Sequence, residues 1–207
     1  MNKLSIQIIA VIAFVVIAGA ALYYGGVFEN SEQTPVTEAS DRTARTVQIL
    51  NYSDYSCPAC RHYAPLQDRL KEEFGDLVEI EYRHFVLGSF PHSRLAAYAA
   101  EAAREQGMFN EMHNLIYEYQ SQWSPRQADA EEYFIGFAEE IGLDIDQFRE
   151  DLESEEIHDL VAAHRDEGVR RTVNSTPTFF VDGHRLRQNP QSYEQFKSIV
   201  ELYMYRD

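Results

Sequence analysis

Seven residues rich in β-branched and apolar side chains, Thr46-Val47-Gln48-Ile49-Leu50-Asn51-Tyr52, are followed after a five-residue turn by Pro58. That pairing constrains the fold more than any other feature. The first run reads as a strand. Pro58 suits the first position of a helix, where its missing N–H costs nothing. Residues 57–75 carry Leu66, Leu70 and Phe74 at four-residue spacing, one face of a helix that stops at Gly75. Residues 77–87, "LVEIEYRHFVL", alternate and predict a second strand. A β-α-β start demands a sheet with a helix laid across it.

Residues 92–167 then read as helix throughout, punctuated by Gly107, Gly142 and Gly168. After them comes "TPTFFVDGHRL" (176–186), where Asp182-Gly183 gives the strongest two-residue hairpin signal in the chain. A last helix is predicted over 191–204. The order is β-α-β, a helical block, then β-β-α. It predicts an α/β fold: a mixed central sheet flanked by helices, with an all-helical insertion at about 91–168.

The two ends of the chain differ in charge and polarity. From Leu4 to Phe28 there is no charged residue for 25 positions. A helix of that length spans a bilayer core of roughly 30 Å. Lys3 before the run and Glu29 after it orient the following chain away from the cytoplasm, and Tyr23 and Tyr24 suit the outer interface. Residues 1–28 are therefore expected to be a transmembrane helix and membrane anchor. The alternative is a signal sequence cleaved near Ala20, after Ala18-Gly19-Ala20. No cysteine follows the run to carry a lipid. Residues 29–45 are polar and without apolar period, a flexible linker, which leaves 46–207 as the folded part. Either fate of the N-terminus puts that part in an oxidising, extracytoplasmic compartment.

Formal net charge is −16, and residues 101–167 alone hold 19 acidic against 4 basic side chains, a net of −15. The acid is thus concentrated in the helical block, as solvated helix faces or as a surface that repels acidic partners. Nucleic acid would require the opposite sign, and so would an anionic lipid surface.

Cys57 and Cys60 are the only cysteines, separated by Pro58 and Ala59. Cys57 falls at the N-cap and Cys60 at the third helical position. A Cys57 thiolate there faces free backbone N–H groups and the positive end of the helix dipole, which lowers a thiol pKa from about 8.5. Cys60, one turn along on the same side, can close a four-residue ring with it or be released from it. Three roles fit two cysteines. A structural clip would stabilise little, because so short a loop removes little unfolded-state entropy. A zinc half-site needs two more ligands, and no second C-x-x-C exists. His158 and His164, six apart in an acidic helix, read as surface residues. A reactive dithiol uses every feature of the position.

These residues resemble a known family. Tyr52-Ser53-Asp54 ahead of Cys57-Pro58-Ala59-Cys60-Arg61, with a late Thr176-Pro177-Thr178-Phe179-Phe180-Val181-Asp182-Gly183, is similar to the DsbA-like thiol–disulfide oxidoreductases of the thioredoxin-fold superfamily. The resemblance covers roughly 46–207. It implies a thioredoxin fold, catalytic Cys57 and Cys60, and a cis-proline at Pro177 facing the dithiol. Thr176 before it would bind substrate backbone, and Pro58 and Ala59 would tune the site. It also implies a shared proline inside the first helix, Pro65, which cannot bond the carbonyl of Arg61. Two departures stand out: Tyr52 replaces the usual Phe, and the Pro-Ala dipeptide is not that of the best-known member. No counterpart of that member's buried acid is evident. Asp54 is a candidate for a proton relay or, equally, a turn residue at the strand end.

The expected function is disulfide formation in exported proteins. No metal or organic cofactor is implied. The expected partners are cysteine-containing exported substrates and a membrane quinone-linked thiol oxidase for recycling. An isomerase or reductase is the enzymatic alternative, and a non-enzymatic anchored module that binds metal or thiols is the other.

Overall fold

A computed structural model describes residues 43–206. The run from Leu4 to Phe28 lies outside the described residues, as does most of the expected linker. Among the described residues no helix is long and apolar enough to cross a membrane.

The elements are β1 (Val47–Ser53), α1 (Pro58–Phe74), β2 (Val78–His84), α2 (Ser93–Glu105), α3 (Phe109–Glu118), α4 (Gln120–Trp123), α5 (Ala130–Glu140), α6 (Ile145–Leu152), α7 (Glu155–Arg170), β3 (Thr178–Val181), β4 (His184–Arg185) and α8 (Tyr193–Met204). The four strands form one mixed sheet in the order β2-β1-β3-β4. β1 runs parallel to β2, with Val47 opposite Val78 and Ser53 opposite His84. β3 runs antiparallel to β1, with Ile49 opposite Val181 and Tyr52 opposite Thr178. The Asp182-Gly183 hairpin forms as expected, with both residues at positive φ (46° and 78°).

The alternation of β1 sorts its side chains to two faces. Val47 and Ile49, with Phe179 and Val181 of β3, pack against Leu70 of α1 and Phe196, Val200 and Met204 of α8. On the opposite face Tyr52, Phe85, Val173 and Phe180 form a smaller cluster. The third and largest cluster is the core of the helical insertion, built on Trp123, Phe134, Phe148 and the alanines of α2. Both cysteines belong to that third cluster, so the dithiol sits where the sheet meets the insertion.

Gly107 and Gly142 end helices at positive φ, as the sequence implied. Gly168 does not: α7 continues to Arg170. A Cβ at 168 would lie 2.6 Å from a Phe85 ring carbon and 3.1 Å from Tyr52. The glycine is there because α7 presses on the sheet. Likewise β2 stops at His84 rather than running to Leu87, because Leu87 turns its N–H to Asp54. Arg45, the last residue of the expected linker, is fastened to the domain: its N–H donates to the Met204 carbonyl and its guanidinium pairs with Asp182 at 2.7 Å.

Candidate active site

The site begins where β1 ends. Asp54, Tyr55 and Ser56 turn the chain, and the Cys57 N–H donates to the Asp54 carbonyl at 3.0 Å. Cys57 then caps α1 with extended backbone (φ −78°, ψ 119°) and Pro58 opens the helix, as the sequence required. Pro58 and Ala59 are exposed at the rim. Cys57 is 7% exposed and Cys60 is 2% exposed, and the two are unbridged thiols.

The surroundings of the two sulfurs differ. The Cys57 thiol donates toward the Thr176 carbonyl at 3.6 Å. Its pKa is lowered from about 9 to about 6. The largest cause is the hydrogen bond from the Cys60 thiol. Burial opposes it. The Thr176 side chain and the backbone amides of Cys60 and Ala59 at the helix start add to the lowering. The Thr176 hydroxyl is buried and has no formed hydrogen bond of its own, so its favourable effect on the thiolate is one of proximity. Each tenfold in acidity is about 1.4 kcal/mol, so the thiolate is favoured by a few kcal/mol. Cys60 moves the other way. Burial pushes its thiol well up, and the neighbouring Cys57 adds to that, against small opposing bonds from the Asp54 backbone and the Ser53 hydroxyl. The pair thus holds one proton on the buried sulfur and one negative charge on the outer sulfur.

The Thr176–Pro177 bond is cis. Pro177 is buried beside the dithiol turn, and its carbonyl accepts from Asn189 Nδ2 at 2.8 Å. Pro65 lies inside α1 as expected.

Asp54 is buried and fully engaged. Its Oδ1 accepts from the Ser56 N–H (2.8 Å) and the Ser93 hydroxyl (2.5 Å), and its Oδ2 accepts from the Leu87 N–H (2.6 Å). Burial raises its pKa, and those three bonds hold the rise in check. The carboxylate therefore joins the dithiol turn, the loop after β2 and the start of α2. These contacts fill the turn role. The Asp54 backbone also acts on Cys60, lowering its pKa slightly.

Four residues near the dithiol, Tyr55, His113, Tyr117 and Gln120, carried no signal of their own in the sequence. Ser53 Oγ lies 2.6 Å from the Tyr117 hydroxyl, and both are buried. Tyr55 OH lies 2.8 Å from His113 Nδ1, and burial drops the His113 pKa to about 3, so that imidazole is neutral. Gln120 donates to the carbonyls of Tyr55 and Cys57. Tyr117, His113 and Gln120 all come from the insertion. Periodicity marks such positions as core, and only the folded chain shows which of them reach the turn. The histidines read as surface residues are packed instead: His158 stacks on Tyr98 at 3.9 Å, and His164 lies 5.4 Å from the buried His84 ring. His84 itself meets Glu101 at 2.6 Å. Among the described residues no three His, Cys, Asp or Glu side chains converge as a metal-binding group would.

Residues 42–202 match the family model described as thioredoxin. Among curated proteins the chain is similar to the Na(+)/H(+) antiporter NhaA of Herminiimonas arsenicoxydans, 37% identical over 139 residues. That match covers 67% of this chain and 21% of the antiporter, so the chain spans about a fifth of the length of such relatives. Among solved structures it is similar to a thioredoxin-like oxidoreductase from Silicibacter pomeroyi, with TM-score 0.63 and 26% identity over 78% of this chain and 88% of that one. It is similar also to the thiol-disulfide exchange protein alpha-DsbA2 from Wolbachia pipientis, with TM-score 0.65 and 18% identity over 77% and 82%. A parallel β-α-β start with C-P-A-C at its helix cap, a cis-proline against the dithiol and an inserted helical core agree with these matches, and the chain belongs to the thioredoxin family, with the fold of its DsbA-like thiol–disulfide oxidoreductases.

Proposed function

We propose that this protein is a thiol–disulfide oxidoreductase that forms disulfides in exported proteins, held at the outer face of a membrane by its N-terminal apolar run. One observation carries the reading: two cysteines on one helical turn, with Cys57 acidified and Cys60 buried and protonated. The thiolate is the species that exchanges with disulfides.

In the oxidised enzyme Cys57 and Cys60 share a disulfide. A substrate thiolate attacks the Cys57 sulfur, the Cys57–Cys60 bond breaks, and Cys60 leaves and takes up a proton. The substrate is then joined to Cys57 as a mixed disulfide. A second substrate thiolate attacks the first substrate sulfur, and Cys57 departs as a thiolate. Two electrons pass from the substrate dithiol to the enzyme dithiol. A low leaving-group pKa drives the second step, and at about 6 roughly nine-tenths of Cys57 is ionised at pH 7. Thr176, whose carbonyl lies against Cys57, is placed to meet the backbone of an extended substrate. The reduced enzyme needs an electron acceptor, which we assign to a membrane quinone-linked thiol oxidase. The uncharged run from Leu4 to Phe28 supports that placement, since a tethered domain stays near such a partner. The name antiporter describes the longer relatives, of which this chain matches about a fifth.

Mixing the oxidised chain with a reduced, unfolded dithiol protein tests the reading. One disulfide should pass to the substrate per chain, with the equilibrium on the side of reduced enzyme. An equilibrium that leaves the enzyme oxidised would make the protein a reductase or isomerase, and no exchange at all would leave only a binding role.

A further inference from the structure

One side chain of the helical insertion bonds directly to the backbone of the turn that carries the dithiol. Gln120 opens α4 and is 4% exposed. Its amide nitrogen donates to the Tyr55 carbonyl at 2.6 Å and to the Cys57 carbonyl at 3.0 Å. A side-chain amide has two N–H groups. Both are used here, on carbonyls two residues apart across the turn. The Cys57 carbonyl also accepts the Arg61 N–H at 3.2 Å, the first bond of α1. The capping residue is therefore gripped on its carbonyl side by the insertion and by the helix together. Gln120 is itself held firmly. Trp123, in the same short helix, is wholly buried and donates to the Ile116 carbonyl at 2.7 Å.

We propose that Gln120 is a positioning residue for the thiol–disulfide chemistry, fixing the Cys57 peptide so that its sulfur stays over the free amides at the start of α1. This rests on the oxidoreductase reading given above. Gln120 touches no reacting atom and carries no proton. It acts on the angle at which Cys57 meets the Ala59 and Cys60 N–H groups, and its two donors offset the Tyr55 and Cys57 carbonyl dipoles. Gln120 thereby ties the helical insertion to the backbone of the redox site, beside the Ser53–Tyr117 and Tyr55–His113 contacts.

The test uses the full chain and two substitutions. Gln120→Met keeps length and bulk and removes both donors. Gln120→Glu keeps shape and sets a carboxylate against two carbonyls. Three quantities are read for each: the Cys57 titration from thiolate absorbance, the equilibrium constant with glutathione, and the thermal midpoint. Q120M should raise the Cys57 pKa by about one unit. Its reduced form should lose about tenfold in equilibrium with glutathione, about 30 mV for a two-electron couple. Q120E should shift both further in the same direction. Variants that melt lower while Cys57 titration and the glutathione equilibrium match wild type would overturn the proposal and leave Gln120 a structural residue. Failure of both variants to fold would overturn it equally. The wild-type equilibrium is the control: if wild type does not exchange with glutathione, the functional reading fails whatever Gln120 does.

Discussion

Cys57 and Cys60 stand one turn apart on the same side of α1, and their surroundings drive them in opposite directions. Around Cys57 the groups that lower its pKa are the Cys60 thiol, the nearby Thr176 side chain and the backbone amides of Cys60 and Ala59. Around Cys60 the turn, Tyr55, Ala64 and the insertion core exclude water. A small difference in exposure thus separates an acidified thiol from one that keeps its proton. The lesson concerns the helix start. Its unpaired N–H groups are available to an N-cap side chain, whereas Cys60 at the third position is covered by the insertion core.

Breaking the comparison outright has the largest effect. Cys57→Ser should reduce disulfide transfer to the level seen without enzyme. Cys60→Ser leaves a lone Cys57 thiolate, which attacks a substrate disulfide and expels one substrate sulfur; with no Cys60 to resolve them, mixed disulfides should accumulate, visible as adducts on non-reducing gels. Equal trapping by both variants would mean that the two sulfurs are interchangeable.

The next effect is on stability. The folded Cys57 value of about 6 lies below the unfolded value of about 8.5, so ionisation stabilises the folded, reduced chain. That contribution is complete above about pH 8.5 and is lost as pH falls through about 6. Cys60 has the opposite sign. Its raised value favours folding while it is protonated, fully below the unfolded value and less as pH rises through the folded one. Of the two thiols, only Cys57 contributes differently between pH 5 and pH 8, and groups such as His113 act on both redox states and drop out of the gap. The disulfide offsets little, because it closes a loop of four residues. Reduced protein should therefore melt above oxidised protein at pH 8, and the gap should narrow toward pH 5. A higher-melting oxidised form at both pH values would contradict an oxidant.

A smaller effect sharpens the contrast from the Cys60 side. Ser53 bonds the Tyr117 hydroxyl and helps Cys60 ionise. Ser53→Ala removes one hydrogen bond of about 1 kcal/mol, so the step in which Cys60 leaves should slow roughly fivefold. The Cys57 titration should stay where it is. A shift in Cys57 of the same size would show that Ser53 serves both sulfurs.

Much of this site was legible in the sequence because it depends on local rules. Pro58 after Cys57 sets the cap, and Asp182-Gly183 sets the hairpin. The cis bond at Pro177 rested on family resemblance, since nothing local demands it. The insertion's share was not legible. Tyr117 and Gln120 sit in an amphipathic pattern that says only that they are buried, and their partners are 64 and 65 or 63 positions away. Gly168 misled for a similar reason. A helical glycine reads as a stop, and its true cause is the approach of a Phe85 ring from another element.

The central claim is that the outer sulfur alone is the thiolate. Alkylation of the reduced chain with iodoacetamide across pH 5 to 9, with each modified residue located by mass spectrometry, tests it most directly. Modification should fall on Cys57, with its rate half-maximal near pH 6, and Cys60 should stay unmodified over the same time. Faster labelling of Cys60, or a Cys57 rate that rises only near pH 8.5, would contradict the account.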